Sequence, residues 1–116
     1  MKLVNINQKI SLNKLKQMSF KIFGGLVKAV VDIEKEIMVI DGEMHADEEK
    51  FLLDSGSQQD NLWGINLYPD FFGKDNFIEF DSIINIRPRL NNLSCEVKNE
   101  NIRKKIIEIV NKLIIK

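Results

Sequence analysis

Two segments carry apolar residues at the spacing of an α-helix, one near the start of the chain and one at its end. In residues 12–23 the apolar residues that recur at helical spacing are Leu12, Leu15, Met18, Ile22 and Phe23. Ser11 is a suitable N-cap for this segment, and Gly24 and Gly25 are suited to end it. In residues 99–116 the apolar stripe consists of Ile102, Ile106, Ile109, Val110 and Leu113. The opposite face of that segment is charged, so both patterns predict amphipathic helices.

Between these helices the pattern changes to β-branched runs in which apolar and polar residues alternate. Such runs predict strands, and a short charged stretch between two of them predicts a hairpin. Pro69 closes the third long run and Pro88 closes the fourth, which reads "FIEFDSIINIR". The predicted strands are residues 2–6 as a short edge strand, then 27–33, 37–43, 61–68 and 77–87.

A short helix is predicted between the second and third long strands, over "HADEEKFLLDSG". Its acidic residues Asp47, Glu48 and Glu49 fall in the first turn, where unpaired backbone N–H groups favour negative charge. Gly56 suits the left-handed conformation that ends a helix. The element order is α-β-β-α-β-β-α, with the edge strand in front. We therefore predict one α+β domain over residues 1–116, a largely antiparallel sheet of four to five strands with helices packed mainly on one face.

Composition and charge restrict the class of protein. Lys and Arg total 17 and Asp and Glu total 17, so the formal net charge is zero, which argues against a general nucleic-acid binder. No segment has the apolar length of a membrane span or a signal peptide. Cys95 is the only cysteine, so we expect no intramolecular disulfide and a cytoplasmic location. No motif calls for a cofactor.

The fourth predicted strand raises a question, because polar residues interrupt a run that otherwise suits a buried strand. Side chains alternate across a strand, and this places Asn85 and Arg87 on one side with Glu79 and Asp81. The same alternation groups Asn66 with Tyr68 in the third strand. We expect these polar sets to meet on the sheet face that the helices leave uncovered.

Such a face could bind a small polar or anionic ligand. Arg87 would bind a carboxylate or phosphate with its planar fork, although an ion pair with a neighbouring strand is the commoner role. Asn85, Asn66 and Tyr68 would orient the ligand. Ser57 and Gln59, in a loop rich in donors and acceptors, would lie at the rim.

His45 is the only histidine and admits three interpretations. The simplest is that it marks the start of the second helix and hydrogen-bonds a backbone group. It could also act as a general base, with a nearby acid such as Asp81. A metal site with Asp41 and Glu43 on the same strand face is the weakest interpretation, because one histidine and two carboxylates select no particular metal. We predict no metal.

Several stretches resemble a family of small prokaryotic proteins known only as a domain of unknown function. They are "VKAVVDIEK", "HADEE", "GSQQDNLWGINLYP", "EFDSIINIRP" and "IRKKIIEIVNKLI". The resemblance extends from about Val27 to Ile114 and implies no particular activity. The motif positions in this chain are His45, Gly56, Ser57, Gln59, Trp63, Asn66, Tyr68, Pro69, Ser82, Asn85, Arg87, Pro88, Asn92 and Ser94.

Three functional hypotheses follow from the sequence. The first is a module that binds a small polar or anionic ligand around Arg87 and Asn85. The second is a small hydrolase or nuclease, with His45 as acid or base and Arg87 stabilising an anionic transition state. The third is a protein-interaction or homodimer surface, formed by the Phe71–Phe72 loop or by Ile107 and Ile114 on the last helix.

Overall fold

The fold is described for all residues, 1–116, from a computed structural model. It contains seven strands and three α-helices, joined by turns and short 3₁₀ segments. The strands are β1 (Lys2–Val4), β2 (Ile10–Ser11), β3 (Val27–Asp32), β4 (Ile37–Ile40), β5 (Leu62–Leu67), β6 (Ile78–Glu79) and β7 (Ile114–Ile115). The helices are α1 (Leu12–Ser19), α2 (His45–Asp54) and α3 (Glu100–Leu113).

Five strands form one antiparallel sheet in the order β1-β4-β3-β5-β6. β3 and β4 form the predicted hairpin, and β1 is the predicted edge strand. The register aligns polar residues across three strands, because Lys28 pairs with Asn66 and Asn66 pairs with Glu79. β2 and β7 form a separate two-stranded parallel pair that ties the end of the chain to the start of α1.

The two faces of the sheet are buried by different elements. α1 and α3 cover one face, where Leu15 and Ile109 belong to a core of 19 buried residues that includes Ala29 and Val31. α2 covers the other face, where its Leu52 packs with Val30, Val39 and Leu62 in a smaller core. The α+β prediction is confirmed, with two of the three helices on the larger core.

The fourth predicted strand is much shorter than expected. Only Ile78–Glu79 pairs with β5, and residues Ile83–Asn85 form a 3₁₀ turn. The Ser82 hydroxyl accepts a hydrogen bond from the backbone N–H of Ile84 at 3.3 Å, which favours a turn over an extended chain. The prediction of a strand over residues 77–87 is therefore wrong, and alternation does not describe the side chains beyond Glu79.

Asn85 takes the place of the missing strand. Its Oδ1 accepts from the N–H of Gly64 at 2.8 Å, and its Nδ2 donates to the Gly64 carbonyl at 2.9 Å. The same Nδ2 donates to the Cys95 carbonyl at 2.9 Å. The side chain is fully buried and pairs with main-chain groups of β5 as a neighbouring strand would. Asn85 therefore does not face outward on an open sheet face, and its amide is occupied.

Gly64 is required at this point by close packing. A Cβ built on Gly64 would lie 2.6 Å from both Cβ and Oγ of Ser82. Absence of a side chain lets the turn that contains Ser82 and Asn85 lie directly on β5.

Asn92 holds the following segment in place. Its Nδ2 donates to the carbonyls of Asn85 at 2.7 Å and Glu96 at 2.7 Å, and its Oδ1 accepts from Lys98 N–H at 2.9 Å. The irregular chain between the turn and α3 is thus organised by buried amides, which satisfy carbonyls that no regular element pairs.

Some predicted boundaries also move. Ser11 caps α1 as expected, accepting from Lys14 N–H at 3.0 Å, but α1 ends at Ser19 and leaves Ile22 and Phe23 exposed. Ile114 leaves the last helix and is buried in β7.

Of the residues predicted to form an interaction surface, some pack inside the fold and others remain exposed. Phe72 packs edge-on against Phe77, with ring centroids 5.1 Å apart. Ile107 and Phe71 each remain 40% exposed, whereas Ile114 is buried. None of the three helices has the length and apolar character that crossing a bilayer requires.

Replacing Asn85 by alanine is expected to destabilise the fold by about 3 kcal/mol, because the change leaves the buried N–H and C=O of Gly64 without partners. Urea unfolding followed by circular dichroism measures the loss. Asn101, exposed in the first turn of α3, is the matched control, and its alanine variant should change stability by less than about 0.5 kcal/mol. Equal stability of the two variants would show that Asn85 does not hold the edge of β5.

Candidate functional site

A cavity of about 380 Å³ lies on the sheet face that α2 covers, between the start of that helix, β5 and the turn after β6. Four of its lining residues carry groups that bind or transfer protons: Lys28, His45, Asp81 and Cys95. The remaining lining residues are Met44, Ala46, Asn66, Ser82, Ile83 and Ile84. A cavity of this size falls within the range of small-molecule sites.

Asn66 lines this cavity and has an unpaired side-chain oxygen. Its Nδ2 donates to Glu79 Oε1 at 2.8 Å and to the Asp81 carbonyl at 3.3 Å. Both partners can only accept, so the nitrogen must face them and Oδ1 must face away. Asn66 is only 7% exposed, and its Oδ1 is buried without a hydrogen-bond partner. A buried acceptor of this kind is costly unless something binds to it.

His45 begins α2, as one interpretation predicted, and its ring crosses to the adjacent strand. Nε2 lies 2.8 Å from the carbonyl oxygen of Ile65. A carbonyl only accepts, so Nε2 carries the proton and Nδ1 of the neutral ring is an acceptor.

The His45 ring is held in its neutral form. Burial lowers the pKa of His45 below its ordinary value of 6.5, and the charge of Lys28 adds to this effect. The Ile65 carbonyl, Asp81 and Asn66 act in the opposite direction on the same pKa.

Three further groups set the charge around the cavity. Lys28 Nζ lies over the Phe23 ring, 5.1 Å from its centroid, while Asp81 is exposed at the cavity edge. Glu79 accepts hydrogen bonds from Asn66 and, at 3.1 Å, from the Tyr68 hydroxyl. Burial, followed by the bond to Glu79, raises the pKa of Tyr68. Tyr68 therefore supports the carboxylate that orients Asn66, and it does not line the cavity.

Arg87 lies in a different environment from the one predicted. Its Nη2 donates to Glu49 Oε2 on α2 at 3.1 Å, and its guanidinium carbon lies 5.0 Å from the centroid of the Trp63 ring. The side chain is 7% exposed and lines none of the cavity that His45 lines. The hydrolase hypothesis needs both side chains at one substrate atom, and this arrangement gives it no support.

Ser57 and Gln59 also lie away from the cavity. The Ser57 hydroxyl donates to Asp32 Oδ2 at 2.7 Å, and Asp32 Oδ1 accepts from the backbone N–H groups of Glu34 and Lys35. This buried network closes the turn of the β3–β4 hairpin. Gln59 is exposed at the start of a 3₁₀ segment.

The acidic residues at the start of α2 do more than interact favourably with the N-terminus of the helix. Glu48 is fully buried, and its Oε2 accepts from Gly42 N–H at 3.0 Å. Burial raises the pKa of Glu48 to about 9, so the side chain is a neutral acid at pH 7. A Cβ at Gly42 would lie 2.7 Å from Glu48 Cγ, so the glycine makes room for the carboxyl group. The interpretation of the acidic run as helix-start electrostatics alone is thus incomplete.

No three metal-binding side chains come close enough together to hold a metal ion. Asp41 instead pairs with Lys21 at 2.6 Å, and Glu43 is exposed. A larger depression of about 440 Å³ contains both residues, but charged surface side chains dominate its lining and none of its lining residues has a buried polar atom without a partner. We therefore take the cavity at His45 as the candidate site.

The structure brings together only some of the residues selected from sequence. His45, Asn66 and Asp81 line one cavity, whereas Asn85, Arg87, Ser57, Gln59 and Tyr68 do not. Sequence reasoning missed the contribution of Cys95, whose irregular segment has no periodicity to place it. For Glu48 and Glu49 a signal existed, since residues 45, 48, 49 and 52 follow the helical spacing of a buried face.

The buried pair of Arg87 and Glu49 is expected to matter far more than the exposed pair formed two residues later by Arg89 and Asp60. Arg87→Met leaves Glu49 in a mostly buried position without a partner, which should cost about 3 kcal/mol. Arg89→Met removes a pair that water already screens and should cost less than about 1 kcal/mol. Urea unfolding of the two variants gives the comparison, and equal losses would contradict a buried role for Arg87.

The titration of His45 tests the electrostatics of the cavity directly, because the chain has no other histidine. Proton NMR of the ring should give a pKa below 6.5. Lys28→Met should raise this pKa and Asp81→Asn should lower it further, since each removes a charge that acts on the ring. A pKa above 6.5, or one that neither variant moves, would show that the three side chains do not share a site.

Comparison with known proteins shows which family the chain belongs to. A family model described as a protein of unknown function (DUF5674) matches residues 4–113, which is nearly the whole chain. The search of curated proteins gives no match, and the search of solved structures gives none either. The chain therefore belongs to the DUF5674 family of proteins of unknown function.

Proposed function

We propose that this protein is a binding module and that the cavity between α2, β5 and the turn after β6 holds a small polar ligand. The single observation that carries the proposal is the buried, unpaired Oδ1 of Asn66, a residue that lines the cavity. A ligand that donates a hydrogen bond to this oxygen would remove the cost of leaving it unpaired.

The other lining residues support this proposal. Neutral His45 and exposed Asp81 add polar contacts around Asn66. Met44, Ile83 and Ile84 contribute apolar surface, and the combination of an apolar wall with a few polar groups is typical of small-molecule sites. The proposal leaves out Arg87 and Asn85, because neither lines the cavity. Arg87 Nη2 pairs with Glu49, and the Asn85 amide pairs with main-chain groups.

Blocking the cavity tests the proposal without removing any of its polar groups. Ala46 lines the cavity and is exposed, so Ala46→Phe places a large side chain at its mouth. The measurement is a two-dimensional NMR titration of the protein with four separate probes: ethanolamine, acetamide, urea and acetate. At least one probe should shift the amide signals of Lys28, His45 and Asn66 in a saturable way, and Ala46→Phe should weaken that binding at least about tenfold, or 1.4 kcal/mol.

Asn101→Phe is the matched control, because residue 101 is exposed at the first turn of another helix and lines no part of the cavity. It should leave the affinity unchanged. Shifts that do not saturate, or binding that survives Ala46→Phe, would overturn the proposal.

A further inference from the structure

The groups that the cavity presents are mainly hydrogen-bond acceptors. The unpaired acceptor of Asn66 is Oδ1, because its nitrogen donates to the Glu79 carboxylate and to the backbone carbonyl of Asp81. Neutral His45 offers Nδ1 as its acceptor, because Nε2–H is committed to Ile65. Asp81 adds a carboxylate. A ligand with N–H donors satisfies these groups, whereas an anion would bring further acceptors against them.

The charges nearby favour the same kind of ligand. Asp81 and Glu79 provide two carboxylates beside Asn66, while Lys28 is the one cationic side chain that lines the cavity. The Lys28 ammonium already lies over the Phe23 ring. Arg87, which could have bound an anion, is paired with Glu49 outside the cavity.

We propose that the ligand is recognised through a primary ammonium or amidinium group, which donates to Asn66 Oδ1 and is balanced by the carboxylate of Asp81. This inference rests on the proposed function and narrows it to one chemical class. It replaces the polar-or-anionic expectation with a donor-bearing cation.

Cys95 supplies a native attachment point for testing this class. It lines the same cavity, is partly exposed and is the only thiol of the chain. In disulfide exchange the Cys95 sulfur attacks one sulfur of a small disulfide, a new S–S bond forms, and the old S–S bond breaks. The released thiolate takes up the proton that Cys95 loses, so no external oxidant is needed. At equilibrium, the attached fraction reports how well the cavity holds the attached group.

Three symmetrical disulfides with short arms differ mainly in their end groups: cystamine carries ammonium, hydroxyethyl disulfide carries hydroxyl, and dithiodiglycolate carries carboxylate. Each is equilibrated with the folded protein in a mercaptoethanol buffer, and mass spectrometry gives the attached fraction. The same measurement in concentrated urea corrects for the intrinsic chemistry of each disulfide. We expect the ammonium arm to exceed the carboxylate arm at least about tenfold in the folded protein relative to urea, which corresponds to 1.4 kcal/mol.

Asp81→Asn should reduce this preference several-fold. Asp70→Asn changes an exposed carboxylate that does not line the cavity, and it should leave the preference unchanged. Cys95→Ser should abolish attachment, which would show that the attachment occurs at Cys95.

The outcomes separate this inference from the function on which it rests. If the hydroxyl or carboxylate arm is enriched in the folded protein and the ammonium arm is not, the cavity binds polar groups but the cationic class is wrong. If no arm is enriched over urea, both the inference and the proposed function fail. If the ammonium preference survives Asp81→Asn, recognition does not occur as stated and the inference is overturned.

Discussion

The arrangement of the site depends on how β5 completes its hydrogen bonding where β6 stops. A sheet edge that is covered by chain must still pair its N–H and C=O groups. At Gly64 both groups are paired by the side chain of Asn85. This pairing allows the chain to leave the sheet after Glu79, turn over the edge of β5 and form one wall of the cavity. A continued β6 would have occupied that space.

Regular periodicity in the sequence identified the elements whose stability comes from a repeated pattern. α3 and the β3–β4 hairpin follow from spacing alone. The stretch after Glu79 also alternates, but there a side-chain amide makes the bonds that a strand would make. Alternation cannot distinguish these two cases, because it shows only which positions are polar and not which groups their side chains bind.

Alternation also could not predict the surroundings of Arg87 and Cys95. The partner of Arg87 is Glu49, which is 38 residues away on a helix that the strand pattern does not place. Cys95 lies in an irregular segment that is held at the cavity wall by two side-chain amides. Asn85 donates to the Cys95 carbonyl, and Asn92 donates to the carbonyl of the preceding residue. Several positions that carry the family resemblance, including Ser57, Ser82, Asn85 and Asn92, thus make hydrogen bonds within the fold.

α2 brings three ionisable side chains toward the sheet, and they are accommodated in two ways. Glu49 pairs with Arg87, whereas burial favours the neutral forms of His45 and Glu48. The lowered pKa of His45 means that the unfolded chain takes up a proton more readily, so stability falls as the pH drops below 6.5. The raised pKa of Glu48 has the opposite consequence, and stability falls as the pH rises from 4.5 towards about 9. Below pH 6.5 the two dependences oppose each other, whereas above pH 6.5 only that of Glu48 remains, so the docking of α2, and with it the wall of the cavity that His45 provides, weakens as the solution becomes alkaline.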